Sequence, residues 1–286
     1  MATQLWEMDA SEMARLVAAR LASCREVVEA HLARIDQVNP AINALAVILG
    51  EEARTAADAT DAAIGAAARH GDSIGALSGV PMTVKENVDV AGSATTLGIA
   101  MLRDAVAAAD APHIGELRAA GAIPVGRGNM PEFGMRWHTA NELRGATRNP
   151  WSARHTPGGS SGGDAAAVAA GMTPLGMGND GAGSLRWPAS CCGVAALRPS
   201  LGRVPQDGHH QSPRLAPFGF QLLAVQGPIA RRVRDLRLAF HHMCGRSGGD
   251  PWYAPVPLDG PPAPAPVRET SRGHGRRRRG SKASTR

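Results

Sequence analysis

Two serines and one lysine in this chain stand in settings that suit acyl-transfer chemistry. Ser160 lies in the run Thr156-Pro-Gly-Gly-Ser-Ser-Gly-Gly-Asp164, and Ser184 in the run Gly178-Asn-Asp-Gly-Ala-Gly-Ser-Leu-Arg186. Glycine-rich backbone around a hydroxyl frees N–H groups to point at a developing oxyanion. A serine hydroxyl is a poor nucleophile at neutral pH and needs a base. No histidine stands in a comparable setting, and the candidate base is Lys85, which ends the run Gly79-Val-Pro-Met-Thr-Val-Lys85. Val80 to Val84 read as a short buried strand, and desolvation at its end can lower a lysine pKa by as much as ~3–5. Neutrality at pH 7 asks for about 3, or ~4–5 kcal/mol of differential environment, which a buried lysine can supply.

These residues resemble the amidase signature family of amide hydrolases. The resemblance is carried by Lys85, Ser160 and Ser184, by Gly-Gly-Ser-Ser-Gly-Gly at 158–163 and by Asp180-Gly-Ala-Gly-Ser-Leu-Arg186. It continues through Gly128-Asn-Met-Pro-Glu-Phe133, Gly145-Ala-Thr-Arg-Asn-Pro-Trp151, Leu197-Arg-Pro199, Gly202-Arg-Val-Pro205 and Gly227-Pro-Ile-Ala-Arg231, spanning roughly residues 5 to 265. So many linked motifs in order leave little room for coincidence.

The resemblance implies an α/β fold, an α/β/α sandwich around a mixed central sheet. It implies a Ser-cisSer-Lys triad: Ser184 as nucleophile, Ser160 as proton shuttle after a cis Gly159–Ser160 bond, and Lys85 as general base. The N–H groups of Gly181, Ala182, Gly183 and Ser184 would form the oxyanion hole. Ser161 reads as support for the loop through hydrogen bonds, and Asp180 with Arg186 as substrate contacts or, in the preferred reading, as an ion pair holding the nucleophile loop. Met130, Phe133 and Trp137 suit an acyl pocket about as well as core packing. The implied reaction cleaves a small-molecule amide through an acyl-enzyme, with no cofactor and no metal, and releases ammonia or an amine.

Two other motifs overlap the same glycines. Gly159-Ser-Ser-Gly-Gly163 satisfies the G-x-S-x-G nucleophile elbow, but the loop-like run Trp151-Ser-Ala-Arg-His-Thr-Pro157 stands where that motif needs a strand. Gly176-Met-Gly-Asn-Asp-Gly181 satisfies the dinucleotide pattern G-x-G-x-x-G, yet Pro188 argues against the long helix that should follow. The amidase reading accounts for all of these glycines together.

The elements that must position the site are legible in outline. Asp9-Ala-Ser-Glu12 and Ser23-Cys-Arg-Glu26 have capping-box form. Val27, Val28, His31, Leu32 and Ile35 then recur at helical spacing, with Asn39-Pro40 as the stop. Further helices are expected over 51–70, 110–120, 164–170 and 231–243, and strands over 80–84, 122–125, 174–177 and 194–197. This alternation of short strands and helices fits an α/β sandwich.

Composition agrees with an enzyme core: 43% of the 286 residues are apolar, though only 3% are aromatic. Cys24, Cys191, Cys192 and Cys244 show no metal spacing and read as reduced. The adjacent pairs His209-His210 and His241-His242 diverge too far to share a metal. No basic-then-apolar leader and no run of about 18 apolar residues is evident, so a cytoplasmic chain with no membrane partner is the expectation.

The net charge of +6 is uneven, because residues 267–286 hold eight Arg and Lys side chains against one acid, Glu269. After the proline run Pro261–Pro266, this segment is read as a basic, disordered tail with no specific nucleic-acid partner. Residues 1–266 are read as a partial amidase signature domain, incomplete at its C-terminal end. A frameshift or early stop is one expectation for that change of character, and an inactive remnant is one alternative reading. Another is an amidotransferase A-type subunit acting on charged tRNA. A homo-oligomer is compatible with the sequence.

Overall fold

In the computed structural model, residues 4–207, 218–245, 248–254 and 256–258 are described. Contacts gather Met1–Val256 into one unit and Pro257–Arg286 into another, and the secondary structure of the described residues lies in the first. The run Pro261–Pro266, the basic segment 267–286 and His209-His210 lie outside the described residues.

The first helices start where the sequence caps them. Asp9 with Glu12 opens α1 (Ala10–Ala18), and Ser23 with Glu26 opens α2 (Cys24–Ile42). Each box satisfies N–H groups for which the helix itself has no acceptor. The stop expected at Asn39-Pro40 comes late, because α2 runs on to Ile42 with Pro40 in its last turn. Asn39 acts on the chain beyond the helix instead: its Oδ1 accepts from the N–H of Ala44 and Leu45. Asn43 then closes the helix in the left-handed region at φ 55°.

The chain continues through β1 (Leu45–Ile48), α3 (Gly50–His70), β2 (Pro81–Lys85), α4 (Pro112–Ala119) and β3 (Ile123–Gly128). A short hairpin follows, β4 (Ala140–Asn141) and β5 (Gly145–Ala146). Then come α5 (Gly162–Ala169), β6 (Leu175–Asp180), α6 (Arg186–Cys192) and β7 (Ala195–Ala196). The last elements are α7 (Phe218–Leu223), β8 (Val225–Ala230) and α8 (Val233–Met243).

The central sheet has the order β1-β3-β2-β6-β8-β7, with β2 parallel to both β3 and β6 and the remaining pairs antiparallel. The mixed central sheet of the expected α/β class is therefore present. Every residue of β2, β3 and β8 is buried. Helix α5 lies across the sheet, touching β1, β2, β3, β6 and β8, while α8 packs on β7 and β8 and α2 on β2 and α3. Among the described residues no helix is long and apolar enough to cross a membrane.

Strands β1 and β8 were not among the expected elements. In β8 the pair Gly227-Pro228 reads locally as a turn, yet Pro228 pairs with Met177 and its carbonyl accepts from the Leu197 N–H. The β7–β8 ladder is registered as far as Ala196 opposite Ile229, and opposite Pro228 the Leu197 N–H bond remains while the return bond is forgone for want of a proline N–H. Gly227 is required there: a Cβ would sit 2.2 Å from the Leu197 carbonyl oxygen.

The close seating of α5 gives a prediction with an internal control. A Cβ on Gly163 would lie 2.2 Å from the Asn129 nitrogen and 2.5 Å from the Ala44 carbonyl oxygen, all backbone atoms with nowhere to move. Gly115, in α4, has nothing within 4 Å of the same position. Urea denaturation should show Gly163→Ala destabilising by ~1–3 kcal/mol. Gly115→Ala should stabilise by roughly 0.5–1 kcal/mol. Equal effects of the two alanines would contradict this packing.

Candidate active site

The carboxyl end of β2 delivers Lys85 to the middle of the fold, where its side chain is fully buried. Its Nζ donates to Ser160 Oγ at 2.7 Å and to Asn179 Oδ1 at 2.7 Å. Burial pushes the Lys85 ammonium down from its ordinary value, and the negative charges of Asp164 and Asp180 work against that. Desolvation penalises only the charged form, so the lysine is eased toward a free amine that can accept a proton.

Ser160 and Ser161 lead into α5. The Gly159–Ser160 peptide bond is cis. Ser160 is buried, and the glycine at 134, at φ 71°, brings the 132–134 turn against it: a Cβ there would be 3.1 Å from Ser160 Oγ. Ser161 is the clasp between the two serine loops. Its N–H donates to the Ser184 carbonyl at 3.2 Å, and its hydroxyl donates to the Asn179 carbonyl at 3.3 Å. The expected support from Ser161 is thus a pair of backbone ties, one of them directly to the nucleophile candidate.

The loop after β6 is organised by Asp180. Its carboxylate accepts from the N–H of Gly183 at 2.7 Å, of Leu185 at 3.1 Å and of Arg186 at 3.3 Å, and from the Arg186 guanidinium at 2.9 and 3.0 Å. Arg198 adds a second cation at 3.5 Å. Burial by itself would raise the Asp180 carboxyl, but these hydrogen bonds outweigh it and hold the group at about 2. The ion pair expected between Asp180 and Arg186 is present.

One expected oxyanion donor is engaged elsewhere. The Gly183 N–H points at Asp180 Oδ1, because a buried carboxylate takes the nearest donors to offset its lost hydration. That leaves the N–H groups of Gly181, Ala182 and Ser184 as the loop's donors.

Asn179 is a residue that sequence reasoning did not single out. It accepts from Lys85, donates to Asn87 Oδ1 at 3.0 Å and lies 3.4 Å from Gln226 Oε1. Its signal was present, an amide next to Asp180 at the end of a strand parallel to the lysine strand, but only the β2–β6 pairing makes it Lys85's neighbour. The apolar residues divide. Met130 is wholly buried in the core, whereas Phe133 and Trp137 are 54% and 68% exposed. Met135 and Trp187 join them at the surface, with Trp187 Nε1 donating to the Trp137 carbonyl at 3.0 Å.

Comparison with known proteins identifies the family. The Amidase family model matches residues 26–280. Indoleacetamide hydrolase of Bradyrhizobium diazoefficiens is 44% identical over 265 residues, which cover 92% of this chain and 49% of that protein. Acylamidase of Rhodococcus erythropolis is 40% identical, over 85% of this chain and 49% of the relative. Among solved structures, a bacterial aryl acylamidase of the amidase signature family superposes with a TM-score of 0.79 at 36% identity, covering 88% of this chain and 50% of that one. The chain spans about half the length of the curated relatives it matches. With the family model covering most of the sequence and the parallel strands around Lys85 in place, the chain belongs to the amidase family, that of the amidase signature enzymes.

Proposed function

We propose that this chain hydrolyses carboxylic amides through a serine acyl-enzyme. The observation that carries the reading is a buried lysine whose Nζ lies 2.7 Å from the hydroxyl of Ser160. Ser184 Oγ attacks the amide carbon and gives its proton to Ser160 Oγ, while Ser160 passes its own proton to Lys85 Nζ. The resulting oxyanion is met by the N–H groups of Gly181, Ala182 and Ser184, aimed by the loop that Asp180 holds. As the tetrahedral intermediate collapses, the leaving nitrogen takes the proton back from Lys85 through Ser160. Water then attacks the acyl ester along the same proton path and frees Ser184.

Exposed side chains near Ser160 and the names of the relatives support one substrate class. Phe133, Met135, Trp137 and Trp187 present large apolar surface beside the Ser160 turn, which suits an amide with an aromatic or bulky apolar group. The names indoleacetamide hydrolase and aryl acylamidase, borne by two relatives, point the same way.

Four outcomes test this reading. A fluorophosphonate should label Ser184, and peptide mass spectrometry should find no label in Ser184→Ala, whose amide hydrolysis falls by ~10³-fold or more. Hydrolysis of indole-3-acetamide should rise with pH as Lys85 loses its proton, with a midpoint well below the ordinary lysine value of about 10.4. Trp137→Ala should raise KM for aryl amides by about tenfold, or ~1.4 kcal/mol, and leave acetamide unaffected.

The fourth concerns Asp180, whose folded pKa lies below its unfolded value, so its contribution to stability is present above about 4 and is lost as pH falls toward 2. Thermal melts of Asp180→Asn should accordingly fall below wild type at pH 7 and converge with it as the pH is lowered through that window. A constant difference across the window would refute the ion pair as the cause.

A further inference from the structure

Asp164 is a fully buried acid beside the proposed triad, and the proton path above makes no use of it. We propose that Asp164 is a positioning residue acting through Lys85, its carboxylate supplying the negative charge that lets Lys85 take up the proton passed on by Ser160. This rests on the proposed triad.

The geometry is a socket built on three adjacent strands. Asp164 lies in the first turn of α5 and accepts a hydrogen bond from Thr83 Oγ1 at 2.8 Å through Oδ1. Thr83 and Lys85 are alternate residues of β2 and so share one face of the sheet. Gly128 is registered opposite Lys85 in the β2–β3 ladder, and a Cβ there would lie 2.3 Å from Asp164 Oδ1 and 2.4 Å from Oδ2. Gly176 is registered opposite Thr83 in the β2–β6 ladder, and its Cβ would lie 3.1 Å from the Asp164 Cβ. Two glycines on the flanking strands thus clear the space in which this carboxylate sits beside the lysine.

The charges support the same assignment. Asp164 Oδ2 makes no hydrogen bond among the described residues, so the group depends on nearby cations for compensation. Burial pushes the Asp164 carboxyl up toward its neutral form, and the Thr83 hydrogen bond, Lys85 from β2 and Arg127 from β3 work against that, with Arg127 spending its donors on the carbonyls of Val84, Lys85, Val88 and Ala94. The anions acting on Lys85 are Asp164 and Asp180, and Asp180 is already tied to Arg186 and Arg198. Asp164 is the uncommitted anion of the pair. When Lys85 becomes an ammonium during acylation, the neighbouring carboxylate offsets the desolvation of the new charge.

The test uses a feature of the sequence: Lys85 and Lys282 are the chain's lysines, so lysine labelled with ¹³C at the ε position gives two signals, and Lys85→Met assigns them. The full chain, Asp164→Asn and Thr83→Val are titrated by NMR, and the pH dependence of Ser184 phosphonylation is followed in parallel. Asparagine keeps the shape and removes the charge, so the Lys85 midpoint should fall by about one pH unit or more, and the phosphonylation midpoint should move with it. Thr83→Val withdraws the hydrogen bond that favours the ionised acid and should shift both midpoints in the same direction by less, which keeps the test open if Asp164→Asn does not fold. A Lys85 midpoint unchanged in the folded variants overturns the proposal and leaves Asp164 as a structural anchor of α5. If wild type is not phosphonylated at Ser184, the triad reading fails, while the lysine titration still decides whether Asp164 governs Lys85.

Discussion

Everything in the site depends on keeping an amine dry at the end of β2. A lysine in water holds its proton to about pH 10.4 and is no base at neutrality, and the fold removes that stability by withdrawing solvent. Lys85 is surrounded by the buried strands β2 and β3 and by the first turn of α5, and its hydrogen bonds go to Ser160 and Asn179. Parallel pairing of β2 with β3 and β6 makes this possible, because parallel strands bury both faces and aim their ends the same way. The price is that each polar group nearby must find partners without water. The chain of Asn87, Asn179, Asp180 and the two arginines that hold Asp180 is the response.

The glycines of the motifs serve two different ends. Some give the loop its freedom, such as Gly183 at φ 111°, whose N–H Asp180 then fixes in place. Others are there because α5 sits directly on the strands, so that Gly128, Gly163 and Gly176 leave no room for a Cβ. The second group is what lets a helix bring Ser160 and Asp164 to the sheet at the level of Lys85. A packing constraint and a chemical one therefore meet in the same few residues.

The use of cations follows the same logic. Lys85 and Lys282 are the chain's lysines, and arginine supplies its other positive side chains. Arginine keeps its charge in all conditions a protein meets and forms fixed, forked hydrogen bonds, which suits Arg186 on Asp180, Arg144 on Glu86 and Arg127 on four carbonyls. Only lysine among the cationic side chains of high pKa can be made to release a proton by burial, and it stands where the proposed chemistry needs a base.

Read alone, the sequence determined the candidates Lys85, Ser160 and Ser184, the capping boxes at Asp9 and Ser23, and the α/β class, because caps, glycine runs and short apolar strands are local patterns. It did not determine where α2 ends, since Pro40 sits inside its last turn and the helix closes at Asn43, with the Asn39 side chain holding Ala44 and Leu45 beyond it. Nor did it mark β8 as a strand, since Gly227-Pro228 is a turn signal until pairing with β6 on one side and the Leu197 N–H on the other hold it extended. Asn179 became Lys85's partner only through the pairing of β2 with β6, and Asp180 claimed the Gly183 N–H only because burial left its carboxylate in need of donors. Residue types and their spacing declare which groups can do chemistry; which atoms meet, and which donors remain for a substrate, is decided by strand register and burial, because both act between segments far apart in the chain.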